Sequence, residues 1–358
     1  MPAVRGAVTS PRLRALAFAA LLGLLLAAFH FAGPPPTVPS PLISPSIEVY
    51  FSRPDPAGAP ALRAGPESAL LQALDGATRS VDMAIYDLDL MDVRDALLRA
   101  WRRGVEVRLV LESDNLGTAA VHDLVAAGVP LVADRRPALM HDKFTVIDGR
   151  EVWTGSMNYT VNDAYFNDNN LVRLIDAGAA SAYRDEFEEM FGEARFGELS
   201  LAGPSPQRLA QPGAAVEVYF APEDGVSQRV VALIGEARAE VTFLAFSLTS
   251  DDIVTALASK AAEGVPVRGV MDGGQARSLG SRFEELRQAG VDVRLDGNPD
   301  RMHHKVIVID GQTVLTGSYN FSRSAETQND ENLVVLHDEA VAAKFLEEFE
   351  RVFNLASP

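Results

Sequence analysis

The stretch "RMHHKVIVIDGQTVLTGSYNFS", residues 301–322, has a counterpart in "LMHDKFTVIDGREVWTGSMNYT", residues 139–160. Each copy contains a histidine and a lysine two residues apart, an apolar run, an Asp-Gly pair, a second apolar run and a Gly-Ser-x-Asn sequence. Two apolar runs joined by Asp-Gly predict a β-hairpin. The same hairpin is therefore expected twice in this chain.

The repetition extends beyond the two hairpins. "IEVYFSRPD" at 47–55 recurs as "VEVYFAPED" at 216–224, and "LLRAWRRGVEVRLVLES" at 97–113 aligns with "LASKAAEGVPVRGVMDG" at 257–273. The pattern of each half predicts strand, helix, strand, helix, strand, helix, strand, strand and closing helix. The expected fold class is α/β, with two similar α/β/α sandwich halves that have mixed β-sheets and are related by an internal pseudo-twofold axis.

The beginning of the chain differs from both halves. An apolar run of about 18 residues follows three arginines and precedes a proline-rich stretch. Residues 1–33 are predicted to be a signal peptide or a membrane anchor, and residues 34–46 a Pro-rich linker. Residues 47–200 and 216–358 would then form the two halves, with a linker at 201–215. Either interpretation predicts an extracytoplasmic protein, membrane-anchored or secreted.

Composition restricts the possible chemistry. The 358 residues include no cysteine, which excludes disulfides, thiolate metal ligands and a cysteine nucleophile. The net charge of −17 repels nucleic acid and anionic lipid at long range. A local basic pocket can still bind one phosphate, because salt screens charges more than about 8–10 Å away. No His, Asp or Glu cluster has metal-ligand spacing, so no metal and no cofactor is expected.

The polar residues of the two hairpins share one spacing. In an extended strand, residues two apart project from the same face, so each histidine is expected beside its lysine, while Asp142 and His304 point the other way. A lysine within an apolar strand is costly to bury unless it has a partner or a ligand. The two motifs are His141-x-Lys143-x4-Asp148-x6-Gly155-Ser156-x-Asn158 and His303-x-Lys305-x4-Asp310-x6-Gly317-Ser318-x-Asn320.

Phosphoryl transfer is the chemistry that these side chains favour. Lysines and asparagines from two halves can donate hydrogen bonds to the nonbridging oxygens of a phosphate. Two imidazoles can supply one nucleophile or base and one acid. Each motif contains only one histidine at this position, so the site is expected between the halves.

The doubled H-x-K-x4-D motif with G-S-x-N downstream resembles the phospholipase D superfamily of HKD phosphodiesterases. The resemblance covers about residues 47–354 and is strongest to the compact nuclease and cardiolipin-hydrolase branch, here with two fused halves. It implies one metal-free site, in which one histidine attacks phosphorus and the other protonates the leaving alcohol and then activates water. The resemblance implies His141 as nucleophile and His303 as acid and base.

The resemblance also assigns the remaining motif residues. Phosphate binding is implied for Lys143 and Lys305 alongside the catalytic histidines. Asn158 and Asn320 are implied as further phosphate-binding residues, with Ser156 and Ser318 in support. Asp148 and Asp310 are expected to hold the local structure.

One position near the motifs differs between the halves. "NDENLVVL" contains Glu331 where "NDNNLVRL" contains Asn169. The resemblance implies that a carboxylate here orients a histidine and stabilises its charged form. Paired within its own half, Glu331 would make His303 the more basic histidine, unless Asp168 or a carboxylate from the opposite half intervenes.

The substrate stays open at this point. Hydrolysis of a phospholipid phosphodiester at a membrane surface is the first prediction, since an anchor would hold the enzyme at a bilayer. A metal-independent endonuclease is the alternative, although no basic stripe with interleaved aromatics indicates nucleic acid. A catalytically silent binding module is the third possibility. Because one chain carries both motifs, it is expected to function as a monomer.

Overall fold

The structure is a computed structural model that describes residues 46–54, 65–201, 207–211 and 214–357. The predicted signal peptide or anchor at 1–33 lies outside the described residues, as does the Pro-rich linker up to residue 45. Within the described ranges, no helix combines the length and the apolar character needed to cross a bilayer.

The first half is a seven-stranded mixed β-sheet with helices on both faces. Its strands are β1 Ser46–Phe51, β2 Ser80–Ile85, β3 Glu106–Glu112, β4 Leu131–Asp134, β5 Lys143–Ile147, β6 Glu151–Gly155 and β7 Asn170–Ile175. Its helices are α1 Glu67–Gly76, α2 Met91–Arg102, α3 Ala119–Ala126, α4 Val161–Tyr165 and α5 Ala177–Glu193. The strand order is β1-β7-β6-β5-β2-β3-β4, with β2, β3 and β4 parallel and the other neighbours antiparallel.

The second half repeats this sheet and adds one edge strand. Its strands are β8 Gln207–Gln211, β9 Ala214–Ala221, β10 Val241–Ala245, β11 Val267–Met271, β12 Asp292–Leu295, β13 Lys305–Ile309, β14 Thr313–Gly317 and β15 Glu331–His337. Its helices are α6 Val226–Glu236, α7 Asp251–Ala262, α8 Phe283–Gln288, α9 Arg323–Thr327 and α10 Glu339–Leu355. The strand order is β12-β11-β10-β13-β14-β15-β9-β8.

The helices that were predicted from periodicity form for the expected physical reasons. Helix α2 buries one apolar face. It is followed by Gly104, whose φ of 86° is a conformation that favours glycine. Its counterpart α7 begins after Ser250, whose side chain accepts a hydrogen bond from the backbone amide of Ile253, and is followed by Gly264 with φ 88°. The glycine that follows the helix is common to the two halves, whereas the side-chain cap is present only on α7.

The two long helices α5 and α10 lie between the sheets. One apolar core contains buried residues of both sheets together with residues of both helices. A second core packs α1, α2 and α3 on the outer face of the first sheet, and a third packs α6, α7 and α8 on the outer face of the second. Because the central core is shared, the two sheets are held face to face and their hairpins come together.

The predicted fold class is confirmed, with additional elements. Relative to the predicted order, each half has a further strand before the hairpin, β4 or β12. Each half also has a short helix, α4 or α9, and a further strand, β7 or β15, between the hairpin and the closing helix. A five-residue helix spans little more than one turn, which is too short for a helical period to be recognised. In addition, β8 lies inside the predicted linker 201–215, where it pairs antiparallel with β9.

Candidate active site

The two predicted hairpins are β5–β6 and β13–β14. At the turn of the first, Asp148 and Gly149 have φ values of 54° and 63°, as a tight two-residue turn requires. Asp148 and Asp310 lie at the turns, just after the end of β5 and β13, whereas the histidines lie just before the start of these strands. The two aspartate carboxylates accept hydrogen bonds from backbone amides of Thr78, Arg79 and Ser80 and of Arg238, Ala239 and Glu240, respectively. These contacts support the predicted structural role.

The glycine of each motif lets two backbone segments approach closely. Gly155 and Gly317 have φ values of 142° and 147°, in a region that side-chain-bearing residues rarely adopt. A Cβ atom at Gly155 would lie 2.4 Å from the carbonyl oxygen of Asn170, and one at Gly317 would lie 2.3 Å from that of Asn332. The close approach places each motif serine beside the start of the next strand.

Each histidine lies just before its strand and against the opposite half. Parallel bridges join Met140 to Asp330 and Asp168 to Met302. The His141 amide donates to the carbonyl oxygen of Asp330 at 3.0 Å, and the His303 amide donates to that of Asp168 at 2.9 Å. The residues that follow these aspartates, Glu331 and Asn169, are therefore placed next to the histidine of the other half.

His141 is paired with a carboxylate from the second half. The distance from its Nδ1 to Oε2 of Glu331 is 2.7 Å, and the Ser318 hydroxyl donates to the same oxygen at 2.7 Å. The prediction that Glu331 would make His303 the more basic histidine is wrong, because the bridge between Met140 and Asp330 carries Glu331 across to His141.

His303 is held by an amide instead. Its Nδ1 lies 3.0 Å from Oδ1 of Asn169, which also accepts a hydrogen bond from the Ser156 hydroxyl at 2.8 Å. The Asn169 nitrogen donates to the carbonyl oxygen of Asp163 at 3.1 Å, so the amide oxygen must face His303. Nδ1 of His303 is therefore the protonated nitrogen of the neutral ring, and Nε2 carries the lone pair.

The two lysines are buried beside the histidines in matching positions. Nζ of Lys143 donates to the carbonyl oxygen of His141 at 2.7 Å, and Nζ of Lys305 donates to that of His303 at 2.8 Å.

Aromatic rings frame both pairs. Tyr86 contacts His141 and Phe246 contacts His303, with ring centroids 5.0 and 4.7 Å apart. The same rings face Lys143 and Lys305, at 5.0 and 4.7 Å from each Nζ to the ring centroid. Sequence reasoning missed these aromatics, although each follows directly after its strand, β2 or β10, at matching positions of the repeat.

Burial disfavours the charged form of each of the four basic side chains at the site. Burial lowers the pKa of Lys143 to about 8, and burial together with Lys143 lowers the pKa of Lys305 well below its usual value. Burial and both lysines also lower the pKa of His141 and of His303, so both imidazoles are neutral at neutral pH. Among the described residues, no group of three or more His, Asp or Glu side chains is arranged to hold a metal ion.

The motif asparagines and serines have different surroundings. The side-chain oxygens of Asn158 and Asn320 are buried and have no hydrogen-bond partner among the described residues, so these amides can turn towards a ligand. The Ser156 and Ser318 hydroxyls are fully buried and donate to Asn169 and Glu331. The one hydrogen of each hydroxyl is thus already engaged, so the predicted support of phosphate binding by these serines stays a prediction and would act through Asn169 and Glu331.

The residues between each histidine and lysine face away from the site, as strand alternation predicts. Asp142 accepts a hydrogen bond from the Asn332 side chain at 2.7 Å. His304 contacts Nδ2 of Asn170 at 3.1 Å and Glu348 at 3.2 Å. Asn170 and Asn332 were missed in the sequence, although both copies place an asparagine directly after Asn169 or Glu331.

Known proteins are similar to this chain in sequence and in fold. A family profile described as "Cardiolipin synthase, PLD-like domain" matches residues 70–191 and 230–353. The mitochondrial cardiolipin hydrolase of Chlamydomonas reinhardtii is 37% identical over 127 residues, which are 36% of this chain and 57% of that protein. The phospholipase D of Rickettsia prowazekii (strain Madrid E) is 35% identical over 132 residues, which are 37% of this chain and 64% of that protein.

One solved structure has a similar fold over most of the length of both chains. The crystal structure of phosphatidylserine synthase from Haemophilus influenzae Rd KW20 superposes with a TM-score of 0.64 and 12% identity, covering 86% of this chain and 87% of the other. At this identity the similarity concerns the fold alone. The matches to the two curated relatives span less than two thirds of the length of each.

Proposed function

This chain belongs to the phospholipase D-like family, and on that premise we propose that it hydrolyses a phospholipid phosphodiester through a phosphohistidine intermediate. The family predicted from the paired motifs is thereby confirmed, since the profile matches both halves. The observation that supports the proposed activity most strongly is that Nδ1 of each catalytic histidine is hydrogen-bonded to a residue of the opposite half, His141 to Glu331 and His303 to Asn169. It leaves Nε2 of both rings available for chemistry at one site.

The first step would be attack on phosphorus by Nε2 of His141. The ring is neutral because burial lowers the pKa of His141, and its Nδ1 hydrogen is held by Glu331. Burial raises the pKa of Glu331 to about 8 in the free protein. When the N–P bond forms, the ring becomes positively charged, which favours the ionised form of Glu331, and this carboxylate offsets that charge. Lys143 and Lys305 would hold the nonbridging oxygens.

Bond breaking requires a proton for the departing alcohol. Burial and the lysines lower the pKa of His303 in the free protein. A phosphodiester anion beside the ring favours the charged form, so substrate binding raises the pKa of His303 towards the value that an acid requires. Nε2 of His303 takes up a proton from solvent as the substrate binds, and then gives that proton to the leaving oxygen.

The second step returns the protein to its starting state. Neutral His303 takes a proton from water, and the resulting hydroxide attacks the phosphohistidine. The N–P bond breaks, and the electron pair returns to Nε2 of His141. When the phosphate monoester leaves, His303 releases to solvent the proton that it took from water. The products are the alcohol and a phosphate monoester, which for a phospholipid is phosphatidic acid.

A phospholipid is favoured over a polynucleotide for two reasons. The two curated relatives described above are named for action on cardiolipin and on phospholipid. A net charge of −17 repels a polyanion, whereas a single headgroup phosphate needs only the local lysines. We include in the proposal that the N-terminal apolar segment holds the protein at the outer side of a membrane, and that the monomer is the functional unit.

A substrate panel tests the proposal. The full chain in detergent would be given phosphatidylcholine vesicles, cardiolipin vesicles, single-stranded DNA and RNA, with and without EDTA, and the products identified by mass spectrometry. We expect phosphatidic acid or its cardiolipin equivalent, with no effect of EDTA. His122→Ala is the matched control, since His122 is exposed on α3. Cleavage of polynucleotides alone would reject the lipid substrate, and inhibition by EDTA would reject the metal-free mechanism.

A further inference from the structure

Asp163 on α4 is a buried carboxylate that neither motif includes. Its side chain is among the buried polar groups, with 3% of the residue exposed. It accepts hydrogen bonds from the backbone amide of Asn158 at 2.7 Å and from the Asn167 side chain at 2.6 Å. Its Oδ2 also lies 3.5 Å from Nδ1 of His303. One face of this carboxylate is therefore turned to the histidine of the opposite half.

The second half has no carboxylate at the corresponding position. Helix α4 begins after Thr160, whose hydroxyl accepts a hydrogen bond from the Asp163 amide. Helix α9 begins after Ser322, whose hydroxyl accepts one from the Ala325 amide. Ala325 thus occupies the place of Asp163. The first half combines Asp163 with Asn169, and the second combines Ala325 with Glu331.

His303 needs a negative charge that Asn169 cannot provide. The amide fixes which ring nitrogen is protonated, but it does not offset the charge of the imidazolium. Asp163 is the carboxylate within 4 Å of His303 among the described residues. Four groups around the ring disfavour its charged form: Lys305, Lys143, His141 and His304. Lys305 in turn faces Asp163, Glu331 and Asp272.

We propose that Asp163 is a positioning residue that supplies the counter-charge of His303, as Glu331 does for His141. Each half would then give one carboxylate to the histidine of the other half, from a different place in the repeat. This inference rests on the proposed function, in which His303 becomes an imidazolium before it protonates the leaving alcohol.

Asp163→Asn tests the charge while keeping an oxygen for the Asn158 amide. We expect the pKa of His303, measured by NMR of ring-labelled histidine, to fall, and kcat with a phospholipid to fall by about 10–100-fold. A phosphodiester with a p-nitrophenol leaving group needs little protonation, so its hydrolysis should change much less. Asp89→Asn is the matched control, because Asp89 accepts a hydrogen bond from the Val161 amide at the start of the same helix.

A second substitution that places a carboxylate at the register of Glu331 should rescue the Asp163→Asn variant. In the double variant Asp163→Asn with Asn169→Glu, the new carboxylate would occupy the register of Glu331. We expect it to restore the His303 pKa and most of the lost kcat. An unchanged His303 titration in Asp163→Asn, or equal losses with both leaving groups, would overturn the proposal. If the wild-type protein cleaves no phosphodiester, the proposed function fails, while the titration still decides the role of Asp163.

Discussion

The two halves share a sheet order and a histidine–lysine pair, but they hold their histidines differently. His141 is paired with the carboxylate of Glu331, whereas His303 is paired with the amide of Asn169. In both cases the partner comes from the opposite half. The comparison teaches that aligning one half on the other identifies equivalent positions, but that it assigns partners to the wrong histidine when the two halves exchange contacts.

The environments behind the two histidines also differ. Asp142 is buried, and burial raises its pKa to about 7. The equivalent His304 contacts Glu348, which is also paired with Arg53 and Arg351. One side thus has a buried acid held by the amide of Asn332, and the other has a network of opposite charges. The pseudo-twofold relation therefore holds for the backbone more closely than for the electrostatics.

The largest effect is expected from removing either histidine. His141→Ala and His303→Ala should each lower lipid hydrolysis by about 10³-fold or more, since one removes the nucleophile and the other the acid. With a p-nitrophenyl phosphodiester, His303→Ala should still form a phosphoenzyme, which intact-mass spectrometry would detect. A phosphoenzyme formed by His141→Ala and not by His303→Ala would reverse the two roles.

Replacing Glu331 by glutamine makes the second half resemble the first. Glutamine can accept the Nδ1 hydrogen of His141 but cannot offset the charge that forms on the ring, so kcat should fall by about 10–100-fold. Rapid-quench measurement of phosphoenzyme formation would locate the loss in the first step. Glu236→Gln, at the exposed end of α6, is the control. Normal formation with slow breakdown would contradict this role for Glu331.

The lysines give an expected pH dependence. Burial lowers the pKa of Lys143 to about 8, so its charge is present below that pH and is lost as the pH rises through it. KM for a soluble short-chain phospholipid should therefore rise, by about tenfold, above pH 8, since the phosphate loses one charged donor. Titration of the labelled lysine by NMR would assign the change. A KM that stays constant to pH 10 would contradict it.

The serine variants should have smaller and unequal effects. Ser318 donates to a carboxylate and Ser156 to an amide, so Ser318→Ala should cost about 1.5–3 kcal/mol of activation free energy and Ser156→Ala about 0.5–1.5. Steady-state kinetics should show both losses in kcat. A raised KM with unchanged kcat would instead indicate direct contact with the phosphate.

The aspartates at the hairpin turns should affect stability and leave activity almost unchanged. Each carboxylate accepts hydrogen bonds from backbone amides, so Asp148→Asn and Asp310→Asn should each lower the free energy of unfolding by about 1–3 kcal/mol.

Their pKa values set the pH range of this contribution. Burial raises the pKa of Asp148, but the Thr78 hydroxyl and the backbone amides outweigh it, and the net pKa is lowered. This stabilisation is present above the unfolded pKa and is lost as the pH falls through the folded one. Urea unfolding between pH 2 and 7 would measure it. A variant that loses no stability at pH 7 would contradict the structural role.

The sequence predicted what depends on local patterns. The hairpins, the alternation of strands and helices, and the opposite orientation of His304 and His303 all follow from spacing along a short segment. The partner of His141 could not be predicted in this way, because Glu331 lies 190 positions away and reaches it through a bridge between two irregular segments. Asp163 was missed for another reason: a search for repeated residues overlooks a position where the other copy has Ala325.

The crossing of Glu331 and Asn169 between the halves has a consequence for evolution. In an assembly of two identical polypeptides, every codon is expressed twice, so one position cannot carry glutamate in one copy and asparagine in the other. A duplicated and fused gene removes that restriction. Each mutation then alters the support of one histidine only, and natural selection can adjust the nucleophile and the acid separately.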